Sequence, residues 1–117
     1  DFARVSAVFH LRLEDNMKLQ SDATLSYALN TTGDVAFTTE QLSDDSPYNT
    51  YAYQGLPVGA ICNPGAVAIQ AVLHPDEQMM ADGYLYFCLT DRETGALVFA
   101  VTLEEHQANV AQFKPYW

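Results

Sequence analysis

Residues 43–63 show no helical or alternating apolar periodicity, and they hold Pro47, Gly55, Pro57 and Gly59, each of which interrupts a regular element. Whatever fold the chain adopts must accommodate this long connection. A loop of such length inside a compact domain is usually functional when ordered. Tyr48, Tyr51 and Tyr53 within it argue against simple disorder, because disordered segments are poor in aromatic residues.

The flanking sequence predicts short elements. Phe2, Val5, Val8, Phe9 and Leu13 recur at spacings of three and four, the stripe of an amphipathic helix, and Asn16 offers its stop. Residues 17–20 suit a brief extended segment. Asp22 has a side chain able to cap a second helix running through Tyr27 and Leu29. Residues 30–34 form a turn cluster whose glycosylation sequon is a chance match. Thr38 and Gln41 have capping-box spacing for a single helical turn. Asn63 before Pro64 predicts another helix start, with Ile69, Val72 and Leu73 in the helix and His74 at its end, since Pro75 disfavours helical geometry in the residue before it. Residues 83–89 and 96–101 are rich in aromatic and β-branched side chains and flank a hairpin-like turn at residues 91–95. Thr102 and Glu105 open a last helix with Leu103, His106, Val110 and Phe113 on one stripe. This order predicts an α+β fold: a small single domain of about four helices, an antiparallel β-hairpin and a long ordered loop.

Charge and composition remove several classes of function. A net charge of -10, from 15 carboxylates against five Lys and Arg, disfavours nucleic acid as a partner. No apolar run approaches the roughly 18 residues of a membrane span, so no membrane contact by this stretch is expected. Cys62 and Cys88 specify neither a disulfide framework nor a metal site, and Cys88 in its apolar run suits a buried thiol. His10, His74 and His106 lack the i, i+4 spacing of helical ligand pairs, so no metal and no cofactor is expected.

The segment Ser46-Pro47-Tyr48-Asn49-Thr50-Tyr51, then Gly55-Leu56-Pro57 and Ile61-Cys62-Asn63-Pro64-Gly65, resembles the signature of the YceG-like endolytic murein transglycosylases. Agreement continues through Arg12-Leu13, Leu19-Gln20-Ser21-Asp22-Ala23-Thr24 with Tyr27, Tyr84-Leu85-Tyr86-Phe87, and Thr102 with Glu105-His106, in the family's order along nearly the whole chain.

The resemblance implies a parent enzyme that cleaves the β-1,4 bond between N-acetylmuramic acid and N-acetylglucosamine within peptidoglycan strands, leaving a 1,6-anhydro end. One carboxyl group suffices for that reaction: it protonates the leaving oxygen, then takes the proton of the C6 hydroxyl as that oxygen attacks C1. In the family this glutamate lies on a helix ahead of the segment matching residues 1–13. The chain is thus expected to be the C-terminal part of the domain, truncated after that helix, with no catalytic residue of its own and no activity alone. It opens at Asp1 like an excised piece, whose exposed apolar surface makes a homodimer an expectation to test. The resemblance also implies an extracytoplasmic location with a membrane anchor upstream, peptidoglycan glycan strands as partner, and contacts with cell-wall synthesis proteins.

The residues expected to bind substrate are Gln20, Asp22, Thr24, Ser46, Tyr48, Asn49, Thr50, Tyr51 and Asn63. Tyrosine faces suit sugar rings, and amide, hydroxyl and carboxylate groups suit hydroxyls and N-acetyl groups. The competing reading makes the same loop structural, with Asn49 and Thr50 satisfying backbone groups, and makes Asp22 and Asn63 helix caps. Leu11, Val58, Ala60, Leu97 and Ala100 depart from the family pattern by removing polar groups or prolines, and the exchanges at Leu11 and Leu97 would also fit a non-catalytic peptidoglycan-binding or scaffolding module. The aminodeoxychorismate lyase label attached to this family would need a pyridoxal-phosphate lysine, and Lys18 and Lys114 adjoin no phosphate-cradling glycine loop.

Overall fold

Helix α1 (Phe2–Glu14) stops where asparagine permits it: Asn16 takes a left-handed backbone with φ 57° in the computed structural model, which describes residues 1–31 and 36–117. Thr32, Gly33 and Asp34 of the expected turn cluster lie outside the described residues. There follow α2 (Asp22–Leu29), α3 (Thr39–Leu42), α4 (Ala66–Leu73), α5 (Glu77–Asp82), β1 (Tyr86–Asp91), β2 (Ala96–Ala100), α6 (Leu103–Phe113) and a closing 3-10 turn (Lys114–Tyr116). The fold is α+β, as the sequence predicts. Its contacts divide it into two compact units, Asp1–Leu11 with Pro64–Trp117, and Arg12–Asn63.

In the first unit β1 and β2 form an antiparallel pair that aligns Tyr86 with Ala100 and Cys88 with Val98, and slips between Leu89 and Asp91. Gly95, at φ 70°, closes the turn by donating its N–H to the Asp91 carbonyl over 2.9 Å. Helix α6 packs on both strands, where the Tyr86 and His106 rings stack with centroids 5.1 Å apart. Phe9 of α1 meets Phe87 edge-on at 5.9 Å, and the Arg4 guanidinium sits 4.9 Å from the Phe99 ring centre. Ala7, Val8, Ala71, Met79, Cys88 and Ala100 make the buried apolar core. Both cysteines are free thiols; Cys62 is exposed, and burial pushes the Cys88 thiol up from its ordinary value.

Several local expectations are corrected. Helix α5 is an addition to the sequence reading, and it has ordinary signals: the Asp76 carboxylate accepts the Met79 N–H at 2.9 Å, and Gly83 at φ 76° ends it. Residues 17–20 form no strand, because Gln20 turns the backbone left-handed at φ 49°. Asp22 is not a cap; Ser21 occupies that position and Asp22 is the first helical residue. Asn63 does not cap α4 either, since the helix starts after Gly65. Phe2, expected on the buried stripe, is exposed.

The capping box at Thr38 and Gln41 is present in both directions. At α6 the Thr102 hydroxyl accepts the Glu105 N–H, but the Glu105 carboxylate takes the Val101 N–H in place of its own cap residue's.

Candidate functional site

The second unit has few apolar residues to bury, with Leu25 and Leu19 as its main contribution, and it encloses Arg12, Thr24, Ser26, Asn49 and Thr50 alongside them. Buried polar groups are tolerated only when hydrogen-bonded, so this unit is held together by a network of such bonds. Asn49, 0 % exposed, is its hub. Its side-chain N–H groups donate to the carbonyls of Leu42 (3.1 Å) and Asp44 (2.8 Å), and its Oδ1 accepts the Tyr51 N–H at 3.0 Å. Around it the loop coils into a tight turn: Asn49 N–H donates to the Ser46 carbonyl, Tyr48 N–H donates to Ser46 Oγ, and the N–H groups of Ala52 and Tyr53 both donate to the Asn49 carbonyl.

Thr50 ties this turn to the head of α2. Its carbonyl accepts the Gln20 N–H at 3.2 Å, and its Oγ1 accepts the Ser21 N–H at 2.9 Å. The Thr24 hydroxyl donates to the Ser21 carbonyl at 2.8 Å. A hydroxyl has one proton, so the 2.7 Å contact between Thr24 Oγ1 and Thr50 Oγ1 is a donation from Thr50. Arg12 braces the preceding turn by donating to the carbonyls of Lys18 (2.9 Å) and Leu19 (3.3 Å) and reaching the Gln20 side-chain oxygen at 3.5 Å.

On this frame stands a carboxylate–phenol pair, in which the Tyr51 hydroxyl donates to Asp22 Oδ1. Burial raises the Asp22 carboxyl above its ordinary value, and the Tyr51 hydrogen bond partly opposes the rise. Tyr51 is pushed well up, first by burial, then by its hydrogen bond to Asp22 and that group's charge, against a smaller opposing effect of Arg12. It therefore stays a phenol and a donor throughout the physiological range. On the same helix and loop, the Tyr27 and Tyr48 rings meet at 4.8 Å and 62°. Tyr27 is 47 % exposed and Tyr48 half-buried. A side chain at Gly59 would come within 3.2 Å of the Tyr48 hydroxyl, so that glycine makes room for the ring.

The structure thus joins Gln20, Asp22, Thr24, Thr50 and Tyr51 in one bonded set and continues it through Asn49 to Ser46 and Tyr48. Asn63 is exposed in the approach to α4, where it caps nothing. Thr24, Asn49 and Thr50 are turned inward with their polar atoms engaged, whereas Gln20 is exposed and Asp22, Ser46, Tyr48 and Tyr51 are half-buried. Tyr27 and Arg12 were not among the expected site residues. Both stand in the segments that carry the family resemblance, and Tyr27 has a local signal as well, an aromatic on the helix that Asp22 opens, whereas Arg12 has no local one, because its partners are mainly backbone carbonyls. An open depression between the residue 91–95 turn and the end of α6 belongs to the first unit and includes no expected site residue. Among the described residues no group of three or more His, Cys, Asp or Glu could hold a metal ion, and no helix is long and apolar enough to cross a membrane.

The Asp22 shift has a stability consequence. Its folded-state value lies above the ordinary 3.8, so the folded chain binds the proton more tightly, and Asp22 adds stability as pH falls through the folded value toward 3.8. Asp22→Asn, which removes a half-buried charge but still accepts from Tyr51, is expected to raise Tm at pH 7 and to leave it unchanged at pH 3. Circular dichroism melts at the two pH values test this; a lower Tm at pH 7 would contradict it.

Known proteins resemble this chain in sequence and in fold. The model of the YceG-like family matches residues 1–112. An endolytic murein transglycosylase of Bacillus subtilis is 41% identical over 106 residues, covering 91% of this chain and 28% of that protein. One from Streptococcus pneumoniae is 35% identical over 115 residues, covering 92% of this chain and 19% of the relative. A crystal structure of a YceG-like protein from Listeria monocytogenes superposes with a TM-score of 0.78 at 41% identity, covering 89% of this chain and 32% of that one. The chain therefore spans under a third of the length of these relatives, and on the family match over nearly its whole extent, with the fold to accompany it, it belongs to the YceG-like family.

Proposed function

We propose that this chain is the glycan-holding part of an endolytic murein transglycosylase acting in the bacterial cell envelope. The observation that carries the reading is the loop of residues 46–53, fastened through Asn49 and Thr50 to the head of α2 in a chain whose relatives bear that name. The fastening leaves Gln20, Asp22, Ser46, Tyr48 and Tyr51, with Tyr27 beside them, accessible on α2, the turn that leads into it and one loop. Aromatic faces and acceptor groups on a preorganised support suit a polysaccharide of N-acetylated sugars. Thr24, Asn49 and Thr50 act by holding that surface in shape, and exposed Asn63 remains a candidate contact.

In this reading the proton transfers belong to the glutamate that the family carries ahead of the segment matching residues 1–13, and an upstream anchor keeps the enzyme at the outer face of the membrane. Partners among cell-wall synthesis proteins and self-association of the chain belong to the same proposal.

The test is digestion of purified glycan strands by the protein carrying this chain, with products identified by mass spectrometry. The expected result is 1,6-anhydro-ended fragments, and in Tyr48→Ala a KM raised about tenfold with a smaller change in kcat, as the loss of one stacked aromatic contact entails. Strand binding without anhydro products would favour the non-catalytic module. Absence of both would remove the reading.

A further inference from the structure

Tyr51 is half-buried and bonded at two separate points. Its backbone N–H is held by the buried Asn49 side chain at 3.0 Å, and its hydroxyl donates to Asp22. It is therefore a strut fixed at both ends. Its one hydroxyl proton is committed inside the protein, which leaves it little to offer a sugar as a donor. Asp22, by contrast, has one oxygen occupied by Tyr51, and a carboxylate accepts several hydrogen bonds.

We propose that Tyr51 is a positioning residue, and that through its hydrogen bond it fixes the Asp22 carboxylate as the acceptor for a sugar hydroxyl or N-acetyl N–H of the glycan strand. This rests on the functional reading given above. Tyr51 from the loop is the group whose hydrogen bond acts on the Asp22 charge, and Arg12 is the cation that acts on Tyr51. An acceptor role needs Asp22 ionised, and the donated hydrogen bond favours that form against burial.

The experiment is a double-mutant cycle of strand binding on the protein carrying this chain, using Tyr51→Phe, Asp22→Ala and the pair, with the Asp22 carboxyl titrated by carbon NMR alongside. Tyr51→Phe keeps the ring, and amide spectra verify its fold. It is expected to weaken strand binding roughly fivefold, the effect of one net hydrogen bond. The same substitution made in the Asp22→Ala background is expected to have no further effect, because Tyr51 acts through Asp22. The titration midpoint of Asp22 should move upward in Tyr51→Phe, since the lowering hydrogen bond is lost while burial remains.

If the two losses multiply, Tyr51 touches the glycan directly and the positioning role is overturned; an unmoved midpoint overturns it as well. If the unaltered protein binds no strands, the functional reading falls and takes this inference with it, whereas binding with multiplying losses removes only the role of Tyr51.

Discussion

Asn49→Ala should cost about 3 kcal/mol of folding stability, the sum of three hydrogen bonds that the buried carboxamide makes to half-buried backbone groups, each about 1 kcal/mol. The three bonds run to Leu42, Asp44 and Tyr51, so one truncation loosens both ends of the 46–53 turn. No solvent reaches Asn49 to compensate. Urea denaturation should show a midpoint shift of that size, and a loss below about 1 kcal/mol would mean that the turn does not depend on this side chain. One corollary concerns binding assays. A peptidoglycan pull-down that fails with Asn49→Ala reports a collapsed loop, so the informative contrast is with Tyr48→Ala, where an aromatic face is removed from a turn whose Asn49 hydrogen bonds remain.

Thr50→Val is the second large effect, expected at about 2 kcal/mol. The methyl group keeps the volume, but the Ser21 N–H loses its acceptor and the Thr24 oxygen loses its 2.7 Å hydroxyl donor, keeping only the long 3.5 Å bond from the Thr50 N–H. Thr24→Val should destabilise by a similar amount, since it removes the other half of the 2.7 Å pair and the bond to the Ser21 carbonyl. The double variant should fall short of the sum by roughly 1 kcal/mol, because the shared bond is lost only once. Thermal melts of the four proteins measure the coupling directly, and strict additivity would show that the two hydroxyls do not bond.

Much of this architecture was legible in the residues because its signals are local. The stripe of Val8 and Phe9, the proline after His74, the Thr38–Gln41 box and the glycine turn at 91–95 each act over a few positions, and each element formed near its expected place. The starts of α2 and α4 differ from the expected ones. Asp22 and Asn63 are good capping residues, but ahead of α2 the backbone is set by distant Thr50, which receives the Gln20 and Ser21 N–H groups, and ahead of α4 the chain runs on from Asn63 to Gly65 before the helix begins. The candidate site was half legible. Its residue types and their order pointed to the loop, but nothing local separates Tyr48, which reaches the surface, from Asn49, which is sealed in. That difference is made by carbonyls of residues 42 and 44, whose side chains carry no trace of it.

The way Arg12 and Asn49 grip the chain has a bearing on which positions can drift. Both clasp main-chain oxygens, at residues 18, 19, 42 and 44, which every amino acid supplies alike. The exposed Lys18 can accordingly be exchanged for almost any residue without loosening the clasp, while the guanidinium and the carboxamide have no substitute of equal reach and donor number.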